Sequence, residues 1–214
     1  PGLPREHVRK LRAILHAAKK TGLAAQNREN VPHFEAYLRG HIAYLHMVDP
    51  QKAAPCGADP KAEMSGIVNK AMGGSKIHLK VRETIYHPGH YRVALAVNSR
   101  TELPVDPVTV ERMTDRGPYS VWAAIQSPAQ LPVLADVLFQ HYTRPASPQT
   151  FEADIQLPNI TCPKCTLQVI QFMAEHGYNQ PGGYSYHHCA DIAITADPAK
   201  PIDKGWPMAT GTAN

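Results

Sequence analysis

Proline sets the first limit on what this chain can fold into. Of its 20 prolines, only Pro1, Pro4 and Pro32 come before residue 49. Proline lacks a backbone N–H and clashes with the preceding helical turn. A chain so often interrupted after residue 48 is therefore expected to use short strands and loops there, not long helices. The residues between the prolines agree. Ile77-His78-Leu79-Lys80-Val81-Arg82 alternates apolar with polar, and so does Phe151-Glu152-Ala153-Asp154-Ile155-Gln156-Leu157, as a strand with one buried face does. Residues 91–97, 120–125, 167–172 and 187–194 read as further strands. Strands of this length between Pro, Gly and Asp loops predict a mostly β fold, an immunoglobulin-like antiparallel β-sandwich over about residues 75–197. Residues 126–149, with Pro128, Pro132, Pro145 and Pro148, read as a long irregular loop. Residues 49–74 read as a linker or loop, 75–205 as the sandwich, and 206–214 as a disordered tail.

The first 48 residues follow a different pattern. Val8, Leu11, Leu15 and Ala18 recur at helical spacing, and Gly22 suits the cap that ends a helix. A second helix is expected from Pro32, through Phe34, Ile42, Leu45 and Val48, to the Asp49-Pro50 stop. The sandwich is thus expected to follow a short helical hairpin. Charge divides at the same place. Residues 1–48 carry eight Lys/Arg against three Asp/Glu, whereas 49–214 carry 14 against 15. A short basic segment implies an anionic partner, with Arg9, Arg12, Lys19, Lys20 and Arg28 as candidate nucleic-acid contacts. A solvated charged face explains the same residues, and charge alone binds weakly and in a salt-sensitive way. No apolar run approaches the ~18 residues of a membrane span.

The four cysteines, Cys56, Cys162, Cys165 and Cys189, all follow residue 48. An even count fits two disulfides and an oxidising compartment. No signal peptide is visible in the chain, which begins at Pro1. Cys162-Pro163-Lys164-Cys165 has two other readings. A thioredoxin-type redox pair needs a helix after the motif, but residues 166–172 read as strand. A zinc knuckle needs a second spaced pair, and the adjacent His188-Cys189 chelates poorly. Structural disulfides are therefore the expectation.

Two family resemblances add to this reading. Leu23-Ala24-Ala25-Gln26-Asn27-Arg28-Glu29-Asn30, with Leu38-Arg39-Gly40-His41-Ile42-Ala43-Tyr44 following, resembles the C-terminal end of retron and group II intron reverse transcriptases over about residues 5–52. The resemblance implies a segment beside a polymerase core that touches RNA, without the polymerase's catalytic carboxylates. Cys162-Pro163-Lys164-Cys165-Thr166-Leu167-Gln168, Cys189-Ala190-Asp191-Ile192 and His87-Pro88-Gly89 together resemble a bacterial secreted family of the lytic polysaccharide monooxygenase type, chitin-binding branch, over about residues 49–206. The two resemblances meet at residues 48–54. That implies a chimera joined there.

The second resemblance implies a copper site, a polysaccharide partner and an extracellular or periplasmic location. Copper in that family is held by an N-terminal His, one internal His and an axial aromatic residue. His87 matches the internal ligand, and His90 competes for the role. Tyr186, three residues before Cys189, matches the axial position, and Tyr184 stands where a polar neighbour is usual. Tyr184 and Tyr186 are expected to share a face, and His187 and His188 to face opposite sides. The N-terminal His has no counterpart upstream of Asp49. His41 and His46 are the nearest imidazoles there. Copper binding is therefore expected to be weak, and oxidative activity absent. Of three possible cysteine pairings, Cys165–Cys189 with Cys56–Cys162 is expected, because neighbouring strands can bring the first pair close. A nucleic-acid-binding fragment and a purely structural extracellular domain are the competing functional readings.

Overall fold

The structure, a computed structural model, describes residues 50–57, 65–179 and 182–210. The chain divides between Val48 and Asp49 into two units, and every described residue belongs to the second. The expected helical hairpin and the basic residues Arg9, Arg12, Lys19, Lys20 and Arg28 lie outside the described residues.

The described chain is mostly strand: β1 (Val68–Met72), β2 (Lys76–Glu83), β3 (Gly89–Ala96), β4 (Thr109–Thr114), β5 (Gly117–Ala123), β6 (Val133–His141), β7 (Gln149–Gln156), β8 (Cys162–Met173) and β9 (Ser185–Thr195). Its helical elements are two short 3-10 turns, Pro50–Lys52 and Arg100–Glu102. No helix among the described residues is long and apolar enough to cross a membrane. Five strands form one sheet in the order β1-β9-β8-β3-β6, while β2 pairs with β7 and β4 with β5.

The alternation in β2 and β7 does what it predicts. Ile77, Leu79, Ala153 and Ile155 face the core, where they meet Val93, Leu95, Leu167, Ile192 and Ile194 of the large sheet. Burying each large aliphatic side chain contributes about 1.5–3 kcal/mol. β3 is buried along its whole length, as a strand covered on both faces must be.

Four expectations need correction. The span 126–149 is not one irregular loop, since β6 fills its middle. β6 hides its period because its register against β3 breaks repeatedly, and Val137 and Phe139 adopt φ of 56° and 52°. Such bulges add unpaired residues and scramble the alternation. The span 49–74 contains β1, which pairs with β9 in parallel, so the large sheet is mixed rather than purely antiparallel. In the expected tail, Trp206 and Ala209 pack against the core.

The fourth correction concerns the disulfides. There are two, but they join Cys56 to Cys189 and Cys162 to Cys165. Cys165 lies opposite Ile192, whereas Cys189 lies opposite Gln168. Three residues along β8 separate these rows, so Cys165 and Cys189 point to opposite faces of the sheet. A register shift between Cys162 and Cys165 lets those two meet, with Cα atoms 5.8 Å apart. Cys189 is then within reach of Cys56, across 5.2 Å.

Candidate functional site

The first turn of interest leads into β3. His87-Pro88-Gly89 passes so close to β8 that a Cβ on Gly89 would lie 1.9 Å from the Phe172 carbonyl oxygen. Only glycine allows that approach. The turn is fastened by the buried carboxylate of Glu83, at the end of β2. Its Oε1 accepts from the His87 backbone N–H at 3.1 Å and Gln171 Nε2 at 2.6 Å, and lies 3.2 Å from His141 Nε2. Three strands and the turn thus converge on one oxygen. A buried carboxyl group with these partners is held firmly in place.

Tyr186 arrives from β9. In the sheet, Tyr186 lies opposite Gln171, and Gln171 lies opposite Tyr91. Directly opposed residues share a face. The Tyr186 ring meets His87 edge-on, with centroids 5.4 Å apart. His176, in the turn after β8, brings a third ring, 5.3 Å from His87 and tilted by 50°. This second turn is also pinned. Ser120 Oγ of β5 accepts from the His176 N–H at 3.2 Å and donates to Met173 O at 2.5 Å, while Ser120 N donates to His176 O at 2.9 Å.

Lys52 completes the group. Its buried chain carries Nζ 5.2 Å from the Tyr186 ring centroid, a cation–π contact. Burial, above all, lowers the pKa of His87 and His176; His176 adds to the effect on His87, and Lys52 adds to both. Each imidazole is thereby held neutral at neutral pH. His87 Nδ1 lies 3.1 Å from Ile85 O, and His176 Nδ1 lies 2.7 Å from Gly177 O. A carbonyl only accepts, so His87 Nδ1 carries the proton and its Nε2 the lone pair; His176 Nδ1 also meets the Asn179 amide nitrogen, a donor, at 2.9 Å, so its contacts admit either tautomer.

The other sequence candidates fall elsewhere. His90 pairs across the sheet with Phe172, one residue out of step with Tyr91, and so takes the opposite face from Tyr186. It is buried there, with Nε2 3.8 Å from Asp136 Oδ1 and Nδ1 without a hydrogen-bond partner. Burial lowers its pKa, and Asp136 opposes that shift. His87 rather than His90 therefore stands beside Tyr186. Tyr184 does not share the site of Tyr186 either. Its hydroxyl donates to Glu111 Oε1 at 2.7 Å, and its ring packs with Ala123, Phe172 and Ala174. Burial, with help from Glu111, raises its pKa.

His187 and His188 take opposite sides, one buried and one exposed. His187 Nε2 contacts Asp106 Oδ1 at 2.7 Å, and its Nδ1 lies 3.3 Å from Gln51 O. His41 and His46 lie outside the described residues.

Sequence reasoning missed His176. Its one signal was position: it follows the strand that must pair with the strand after His87. Copper fits this donor set. Imidazole suits copper, and the His87 ring already holds the tautomer that a metal ligand needs. Among the described residues, no group of three or more His, Cys, Asp or Glu is arranged to hold an ion. The available donors are therefore two imidazoles and the Tyr186 phenol.

No protein-family model matches the chain, and no curated protein matches it. Among solved structures it is similar to "Lytic Polysaccharide Monooxygenase AA15 from Thermobia domestica in the Cu(I) State", at 19% identity over 67% of this chain and 76% of that one, with a TM-score of 0.38.

Proposed function

We propose that residues 49–210 form an immunoglobulin-like, polysaccharide-monooxygenase-like β-sandwich, secreted, that binds copper at the sheet end where His87 and Tyr186 meet. A polysaccharide surface is its proposed partner. The observation that carries the reading is the edge contact between those two rings. They come from distant parts of the sequence, and both stand at positions that the family resemblance assigns to a copper site. Copper bound there supplies one-electron chemistry. His87 offers a neutral Nε2, Glu83 and Gln171 hold the turn in place, and Tyr186 closes one side. Two disulfides suit an oxidising compartment.

Binding is proposed to be weak, and oxidative turnover absent, because the described residues offer two imidazoles rather than three planar nitrogens. Calorimetric titration of the full chain with Cu(II), beside His87→Ala, tests the binding. Measurable affinity that drops about tenfold or more in the variant supports it. Equal binding by both proteins places the ligands elsewhere and overturns it. Oxidised sugars released from chitin with peroxide would contradict the proposed lack of turnover.

A further inference from the structure

Residues 50–57 lie as a strap against one face of the large sheet. Gln168 pairs directly with Cys189, and His187 stands two residues before it, so all three share that face. Cys56 is bonded to Cys189. The polar fasteners are few. Gln168 Nε2 donates to Pro55 O at 2.8 Å, and His187 Nδ1 lies 3.3 Å from Gln51 O. A Cβ on Gly182 would fall 1.3 Å from Lys52 O, so the strap is seated where only glycine leaves room. The apolar contact at its far end is small: Cys56 and Cys189 meet Ala94, Ala96, Leu103 and Val133. The closed strap also leaves Gln168 Oε1 buried without a hydrogen-bond partner. Water reaching that oxygen would offset part of the cost of opening. The noncovalent seal is thus weak, and the disulfide carries the closure.

The two disulfides also differ in access. Cys56 and Cys189 are half-buried, whereas Cys162 and Cys165 are fully buried. A thiolate must reach a sulfur to attack it, so a soluble dithiol attacks the first bond before the second. We propose that Cys56–Cys189 is a redox latch, whose reduction by a dithiol frees the strap from β9 and withdraws Lys52 from the Tyr186 ring. One reductant thiolate attacks a sulfur of the bond and expels the other as a thiolate. The remaining reductant thiol then closes on the mixed disulfide. The dithiol is oxidised to a cyclic disulfide, and both cysteine sulfurs end as protonated thiols. Lys52 sits on the strap, with Nζ 5.2 Å from the Tyr186 ring centroid, so opening removes a cation from beside His87. Only this consequence for the site rests on the reading above; the latch itself needs no copper.

The test is timed reduction of the full chain with limiting dithiothreitol, followed by alkylation and peptide mapping. Cys56 and Cys189 are expected to be labelled about tenfold or more faster than Cys162 and Cys165. Amide exchange on the partly reduced protein reads the strap. The Gly57 N–H, which donates to Ala53 O at 2.6 Å, is expected to lose protection by about tenfold or more, while the β3 and β8 amides keep theirs. The Tyr186 ring NMR signals are expected to shift with the same time course. Gly182→Ala keeps both disulfides and unseats Lys52 O, so it is expected to speed reduction of Cys56–Cys189. Equal labelling of the two pairs, or unchanged Gly57 protection, overturns the latch. So does loss of protection throughout β3 and β8, which is global unfolding. Unmoved Tyr186 signals overturn its link to the site. None of these readings involves copper, so their failure leaves the copper reading at His87 standing.

Discussion

Tyr184 and Tyr186 stand two residues apart yet serve different parts of the molecule. Tyr184 donates to the Glu111 carboxylate and packs into a small apolar cluster, while Tyr186 faces His87 and Lys52. Tyr184→Phe is therefore expected to destabilise the fold by about 1–3 kcal/mol, the cost of leaving the buried hydrogen-bond partner of a carboxyl group unmade, and to leave copper affinity unchanged. Urea unfolding and a copper titration of the same variant check both halves. His90 gives a pH signature. Its folded-state pKa is depressed below 6.5 by burial, so the unfolded chain takes up a proton before the folded one does. The stability it contributes is complete above about pH 6.5 and declines as pH falls toward the depressed value. His87 and His176 act in the same direction. Denaturant midpoints at about pH 7.5 and 5 should show the fall, and His90→Gln should reduce it; an unchanged slope in that variant would remove His90 from the account. At this scale the meeting of His87 and Tyr186 was legible in the sequence, because one sits in a turn motif entering β3 and the other at a fixed spacing before Cys189 in β9. His176 was not legible, because only the pairing of β3 with β8 brings its turn beside His87.

Elements were legible where one face is buried and one is wet. β2 and β7 alternate cleanly because their inner residues meet the core and their outer ones meet solvent. β4 could not be read this way, since most of its side chains are exposed on both faces, and β6 could not because bulges break its period. The disulfide pairing was obscured for a related reason. Strand adjacency brings β8 and β9 together, but register decides which cysteines meet, and register depends on a shift between Cys162 and Cys165 that composition does not reveal. The two bridges should also differ in weight. Cys56–Cys189 closes a separation of 133 residues and Cys162–Cys165 one of 3. Loop entropy alone then assigns about 5 kcal/mol to the first and about 2 kcal/mol to the second. Cys189→Ser should accordingly cost the larger loss of thermal stability, and Cys165→Ser the smaller. Peptide mapping under non-reducing conditions should recover the same two pairs, and the opposite order of stability losses would count against the entropic account.

At the scale of the whole molecule, the change in charge and periodicity near residue 48 was legible from composition alone. We propose that residues 49–214 fold without the basic segment, since their core draws on strands after residue 67. Deleting residues 1–48 is expected to leave cooperative thermal unfolding with a similar midpoint; a broad, non-cooperative transition would show that the two parts share a core. We propose that copper binds where the turn before β3 and strand β9 bring His87 and Tyr186 together. Crystals of the full chain soaked with copper, measured on both sides of the copper absorption edge, test it most directly. One anomalous peak is expected, about 2 Å from His87 Nε2 and beside the Tyr186 ring. A copper peak bound only at other histidines, with none near His87, would contradict it.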